Sequence, residues 1–133
     1  MAIILDADVI IGAEKGTFNL TSWMLKHADE EFEIAAITVA ELWHGVERAS
    51  VSYRSRRGLF VKTVLEQLAI IPYTETTAFE HACLWARMES AGTMIGAHDL
   101  IVAATALEHG SAVATFNTRH FSQVRGLKVI EPK

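Results

Sequence analysis

A three-layer α/β/α fold with a central, mainly parallel sheet is what this sequence predicts. Five short apolar runs, at 2–5, 34–37, 69–71, 112–115 and 127–130, have the length of buried strands, and helical patterns fill the gaps between them. Strand and helix alternate along the chain. That order favours parallel strands covered by helices on both faces, with ligands gathering at the carboxyl ends of the strands.

The first run, Ala2-Ile3-Ile4-Leu5, ends on Asp6-Ala7-Asp8, and Asp8 is placed to cap a short helix over Val9-Ile10-Ile11. A helix is expected from about Phe18 to Ala28. The second run, Ile34-Ala35-Ala36-Ile37, leads into a helix from Val39 to Ala49, and Thr38-Val39-Ala40-Glu41 has the spacing of a capping box. A third helix is expected from Ser52 to Leu68. Ile71-Pro72 closes the third strand, Thr74 starts the helix that reaches Ala91, and His98 to Glu108 forms the last long helix, stopped by Gly110. The run ending at Thr115 then passes into a polar turn at Phe116-Asn117-Thr118.

At 133 residues the chain suits one domain, residues 1–133, with enough apolar content (50% hydrophobic, 21% charged) to bury a core and to exclude disorder. No apolar run approaches the ~18 residues that would span a membrane. The opening Met1-Ala2-Ile3-Ile4-Leu5 has neither a basic stretch nor a small-residue cleavage site, so a first strand and a cytoplasmic protein are expected. The one cysteine, Cys83, lies in a helical pattern where a buried thiol is expected. A net charge of −4 argues against a chain that coats nucleic acid indiscriminately, but the sum does not forbid a local basic track. Arg54, Arg56, Arg57 and Lys62 cluster beside Tyr53 and Phe60 and are candidates to contact RNA phosphates, the alternative being a solvated helix face.

Three acids stand at element ends. Asp6 closes a buried strand with no basic residue nearby in sequence, and such a carboxylate is costly unless a cation offsets it. Glu41 either completes its capping box or faces the same crevice. Asp99 opens a helix whose Leu100-Ile101-Val102-Ala103-Ala104 is apolar almost all round; an acid there favours the helix dipole by only ~0.3–1 kcal/mol, which a surface position would supply equally well. The six histidines lack zinc-site spacing, so oxygen ligands point to Mg2+ or Mn2+. Thr115 and Asn117 should emerge at the same sheet edge.

Taken in order, Leu5-Asp6-Ala7-Asp8-Val9-Ile10, then Thr38-Val39-Ala40-Glu41-Leu42 with Gly45, then the helix from His98 to Leu107, then Thr115-Phe116-Asn117-Thr118-Arg119-His120-Phe121, resemble the four motifs of PIN-domain ribonucleases, and most closely those of VapC-type toxins. The resemblance covers essentially the whole chain. It implies a PIN-like fold and a metal-dependent endoribonuclease in which Asp6, Glu41 and Asp99 hold one or two Mg2+ or Mn2+ ions that activate water for in-line attack on RNA. Thr115 and Asn117 would orient water or phosphate. A small VapB-like antitoxin that blocks the cleft, and a homodimer, are the implied partners. Two positions depart from the family pattern: Asp8 stands where Thr, Ser or Asn is usual, and Asn117 and His120 stand where an acid is usual.

Three rivals share parts of this pattern. A haloacid-dehalogenase-like phosphatase would explain Asp6-Ala7-Asp8, but Val9-Ile10 replaces the residues that should follow, and no later acid pair is evident. A receiver-type signalling domain needs a lysine after its last strand, whereas Lys128 precedes Val129-Ile130. A catalytically inactive PIN-like scaffold draws support from Asn117 and is opposed by the retention of all three acids. An apolar groove for the antitoxin is expected on the helices 18–28 and 52–68, formed by Trp23, Met24, Leu25, Phe60, Val61, Val64 and Leu65, unless these side chains pack on one another.

Overall fold

The computed structural model describes residues 1–133. Five strands, β1 (Ala2–Leu5), β2 (Glu31–Ala35), β3 (Ala69–Ile71), β4 (Ala112–Ala114) and β5 (Val129–Ile130), form one sheet in the order β3-β2-β1-β4-β5. Every pairing is parallel. The sequence grows outward from β1 in one direction through β2 and β3, then crosses back to place β4 and β5 on its other side. The reversal between β1 and β4 opens a crevice at the carboxyl ends of those two strands.

The two faces of the sheet explain the alternating side chains of β1. Ile3 and Leu5 join a core with Val9, Ile10, Leu20, Trp23, Leu42, Val46, Val61 and Val64, which come from α1 (Ala7–Lys15), α2 (Leu20–Lys26), α3 (Ala36–Arg48) and α4 (Val51–Leu65). Ile4 points the other way. It packs with Leu84 and Met88 of α5 (Glu75–Ala91), with Leu100, Val102, Ala103, Ala104 and Ala106 of α6 (Ala97–His109), and with Phe121, the last residue of α7 (Thr118–Phe121). Small side chains on α6 let its backbone approach the sheet, and α5 lies along its outer side. These two cores make the three layers.

Several elements differ from the sequence-based expectation. β2 begins at Glu31 and ends at Ala35, ahead of the expected 34–37, because Ala2 of β1 pairs with Glu31 and a helix already starts at Ala36. The polar Glu31 and Glu33 at this strand's start hid it from a search for apolar runs. α1 extends from Ala7 to Lys15, well beyond the expected single turn at 9–11, and its N-cap is Asp6, with Asp8 inside the first turn. Thr38 also lies inside α3: its hydroxyl is buried without a hydrogen-bond partner, so the capping box expected with Glu41 does not form. The chain's capping box is instead built by Thr74 and Thr77 at the start of α5. Gly110 stops α6 in the left-handed region at φ 67°, as its position after Glu108-His109 predicts. Cys83 is exposed on α5, contrary to the buried thiol expected. No helix is long and apolar enough to cross a membrane.

Candidate active site

The crevice between β1 and β4 is lined by carboxylates. Asp6 follows β1 directly and is 6% exposed, with its backbone N–H donating to the Ala114 carbonyl at 3.0 Å. Its Oδ1 accepts from the Ala7 N–H at 2.9 Å and its Oδ2 accepts the Thr115 hydroxyl at 2.9 Å. Thr115, fully buried after β4, also lies 3.3 Å from Asp8 Oδ2 and accepts from the Asn117 N–H at 2.9 Å. Asp8 Oδ2 accepts from the Phe116 N–H at 3.0 Å. The end of β1 and the loop after β4 are thus tied together through two carboxylates and one hydroxyl.

Electrostatics follow from that crowding. Burial, then the neighbouring Asp8, then Asp99 push the Asp6 carboxyl up to about 7, although the Thr115 and Ala7 hydrogen bonds oppose the shift. Asp8 is also held above the usual carboxylate range, mainly by burial, against hydrogen bonds from Phe116 and Thr115. Asp99, in the first turn of α6, is raised by burial and partly relieved by His120. No lysine or arginine pairs with any of the three. Buried acids without a basic partner are costly when ionised, and a cation offsets that cost.

The sequence-predicted ligands separate into two groups. Asp6 and Asp99 lie near enough for each charge to matter, whereas Glu41 faces His98, whose Nδ1 is 3.4 Å from Glu41 Oε2. As the side chains stand, Asp6, Asp8 and Asp99 are neighbours while Glu41 pairs with His98, and no three acid, imidazole or thiol groups close on one point. Because α3 starts at Ala36, Glu41 sits in its second turn rather than its first. The donor chemistry still fits a hard divalent cation, being all carboxylate oxygen around the buried Asp6. Asn117 does not point to a carboxylate; its Nδ2 lies 2.9 Å from His120 Nδ1, and that nitrogen is 3.8 Å from Asp99 Oδ2.

Asp8, His98 and His120 therefore belong beside the predicted residues. Asp8 was legible as a second acid two residues after Asp6 but was equally explained as a cap. The histidines carried no spacing signal, because each meets its acid only through the fold.

A groove of about 660 Å³ begins at Ala7, Glu41 and His98 and runs between α1, α3 and α4 to Arg57 and Phe60; Asp6, Asp8 and Asp99 do not line it. A smaller cavity of about 350 Å³, lined by Phe18, Leu20, Phe60 and Val64, lies between the helices 18–28 and 52–68, where a groove is expected. Trp23, Val61 and Val64 are buried in the core, Met24, Phe60 and Leu65 pack partly against it, and only Leu25 is left largely exposed. The basic cluster is divided as well. Arg57 holds Glu14 of α1 in an ion pair at 3.2 Å, Arg54 donates to the carbonyls of Glu47 and Ala49 at the end of α3, Arg56 lies over the Tyr53 ring, and Lys62 is exposed.

Comparison with known proteins gives a consistent match. The PIN domain family model matches residues 3–127. The chain is similar to the VapC ribonuclease Y4jK of Sinorhizobium fredii, with 34% identity over 138 residues covering 98% of this chain and 96% of the relative. It is also similar to Ribonuclease VapC1 of Rickettsia felis, with 29% identity over 131 residues and the same coverage. Among solved structures, VapBC2 of Rickettsia felis bound to a fragment of promoter DNA superposes with a TM-score of 0.88 at 22% identity, covering 97% of both chains. FitAcB of Neisseria gonorrhoeae gives 0.80 at 28% identity, covering 97% of this chain and 96% of that one.

Proposed function

The chain belongs to the PIN-domain family, among its VapC ribonucleases, and on that premise we propose that residues 1–133 act as one metal-dependent endoribonuclease domain, the toxin of a toxin–antitoxin pair. The observation that carries the reading is the buried Asp6 beside Asp8 and Asp99 at the sheet's switch point, with no lysine or arginine to balance it. Asp6 and Asp99, with Glu41 from the neighbouring helix, would hold one or two Mg2+ or Mn2+ ions. When bound, such ions supply Lewis-acid polarisation of the scissile phosphodiester and activation of water for in-line attack.

The chain's own groups do the positioning. Thr115 donates a hydrogen bond to Asp6 Oδ2 and so fixes the orientation of that carboxylate. Asp8 binds the backbone of Phe116 and keeps the loop after β4 in place. Asn117 holds His120 beside Asp99 and, from the same loop, would orient water or phosphate at the centre. Asp6, pushed up to about 7 by burial and its acidic neighbours, is a carboxyl that a bound cation would favour in its ionised form.

The groove between α1, α3 and α4 opens beside this centre and suits a segment of a VapB-like antitoxin, whose occupancy would cover Glu41 and His98. Solved relatives named as VapBC complexes support that choice of partner. A cytoplasmic homodimer is the form in which we expect the toxin to work.

The test is incubation of the purified chain with structured and single-stranded RNAs in Mg2+, in Mn2+ and in chelator. Cleavage in either metal and none in chelator is expected. Binding without cleavage in both metals would favour an inactive PIN-like scaffold.

A further inference from the structure

Phe116 stands at the lip of the carboxylate centre. The chain turns Thr115 fully inward and Phe116 outward, leaving the latter 39% exposed. Its backbone is fixed to the site, because the Phe116 N–H donates to Asp8 Oδ2 at 3.0 Å while Thr115 before it donates to Asp6 at 2.9 Å. Its ring is packed on one side too. Phe18 meets it edge-on with centroids 5.3 Å apart, and Gly12 of α1 lies beside its Cε2 edge.

An apolar ring packed against a neighbour yet more than a third exposed can serve as a stacking surface. Unpaired RNA bases stack on such rings, with no need for a particular base because every base has a π face. This chain also needs an anchor of that kind. Its net charge is −4, Asp6, Asp8 and Asp99 line the centre, and two of the nearby arginines, Arg54 and Arg57, already hold groups of the protein itself. Repulsion between phosphate and carboxylate leaves stacking as a source of substrate binding that does not depend on charge.

We propose that Phe116 is a base-stacking platform that takes the base of a nucleotide flanking the scissile phosphodiester. The proposal rests on the endoribonuclease reading above. It concerns a residue that touches the substrate base and leaves the reacting atoms to the carboxylate centre.

The experiment pairs a protein change with a substrate change. The cut made by the full chain in a mixed-sequence single-stranded RNA oligonucleotide is mapped, and each flanking nucleotide is then replaced by an abasic one. Phe116→Leu keeps an apolar contact with Phe18, and Phe116→Trp keeps the π face. Removing one flanking base should cost the wild type about tenfold in kcat/KM, within the range measured for base–aromatic stacking. Phe116→Leu should lose about the same on intact RNA, mainly through KM, and lose nothing more on that abasic RNA; Phe116→Trp should retain the wild-type rate and the abasic penalty. Losses that multiply to about a hundredfold, or a Leu variant as active as the wild type on intact RNA, would overturn the proposal and leave the ring a packing or protein-contact residue. Fluorescence anisotropy of the same RNAs in chelator separates the two levels of inference. If no RNA is cut in Mg2+ or Mn2+, the endoribonuclease reading fails, while the same Phe116–base coupling in binding would support the platform and its absence would overturn it.

Discussion

Replacing Asp6 by asparagine should make the metal-free protein more stable at neutral pH, although it removes a residue at the heart of the site. The carboxyl's ordinary value is near 3.9, and burial beside Asp8 and Asp99 raises it to about 7 in the folded protein. Well below pH 4 the group is protonated in both states and contributes no difference. As pH rises toward 7 the unfolded chain releases this proton while the folded chain retains it, so folding stability falls; above 7 the loss is complete. A difference of about three in pKa corresponds to at most ~4 kcal/mol. That is a large share of the ~5–15 kcal/mol typical of a domain. Asparagine can accept from the Ala7 N–H through its Oδ1 and offer its amide to the Thr115 hydroxyl, so the contacts survive without the charge. Urea unfolding in chelator at pH 5 and pH 8 measures the effect. The wild type should lose more stability than Asp6→Asn between the two values, by up to ~2.5 kcal/mol, because part of the full loss is already incurred by pH 5. Taking the difference between proteins cancels contributions from the histidines, including His81, whose ring is lowered by burial and shifts stability the opposite way. Parallel pH slopes for the two proteins would refute the reasoning.

Other substitutions probe the remaining parts. Asp99→Asn should abolish RNA cleavage and leave the circular dichroism spectrum unchanged, since the amide keeps the packing and weakens a hard-cation ligand. Asn117→Asp should tighten Mg2+ binding measured by calorimetry and lower the metal concentration for half-maximal cleavage, because a carboxylate is added beside His120 and Asp99; unchanged isotherms would limit Asn117 to its contact with His120. Arg57→Ala should cost under ~1 kcal/mol in urea unfolding, as its partner Glu14 is part-exposed and solvent screens the pair. Phe121→Ala, at a fully buried position, should cost ~3–5 kcal/mol in the same measurement.

Much of this architecture was legible from pattern alone. β1, β3 and α6 are continuous apolar or small-residue segments, so their places in the sheet and on its face followed from composition, and Thr74 and Gly110 marked real helix ends. The errors arose where polar residues had two uses. Glu31 and Glu33 begin a strand at the amino end of β2, where charge is tolerated, and that hid three residues of it. Thr38 and Glu41 have capping-box spacing, yet the helix begins three residues ahead of Val39, which puts Glu41 in its second turn, beside His98. Asp6 and Asp8 exchanged roles for a related reason: the first acid caps the helix and also faces the crevice, and the second binds the backbone of a residue 108 positions later. Long-range pairs such as Asp8 with Phe116, or Asp99 with His120, leave no trace in local spacing. The order of the four motifs carried the family because their spacing reflects strand ends meeting at one switch point, which single motifs do not convey.

The claim that buried carboxylates hold a functional cation is tested most directly by electron paramagnetic resonance of Mn2+ titrated into the wild type and Asp6→Asn at pH 8. The wild type should bind the ion saturably, and Asp6→Asn, though folded and more stable when metal-free, should bind it far more weakly. Equal binding by the two proteins would contradict a cation site built on Asp6.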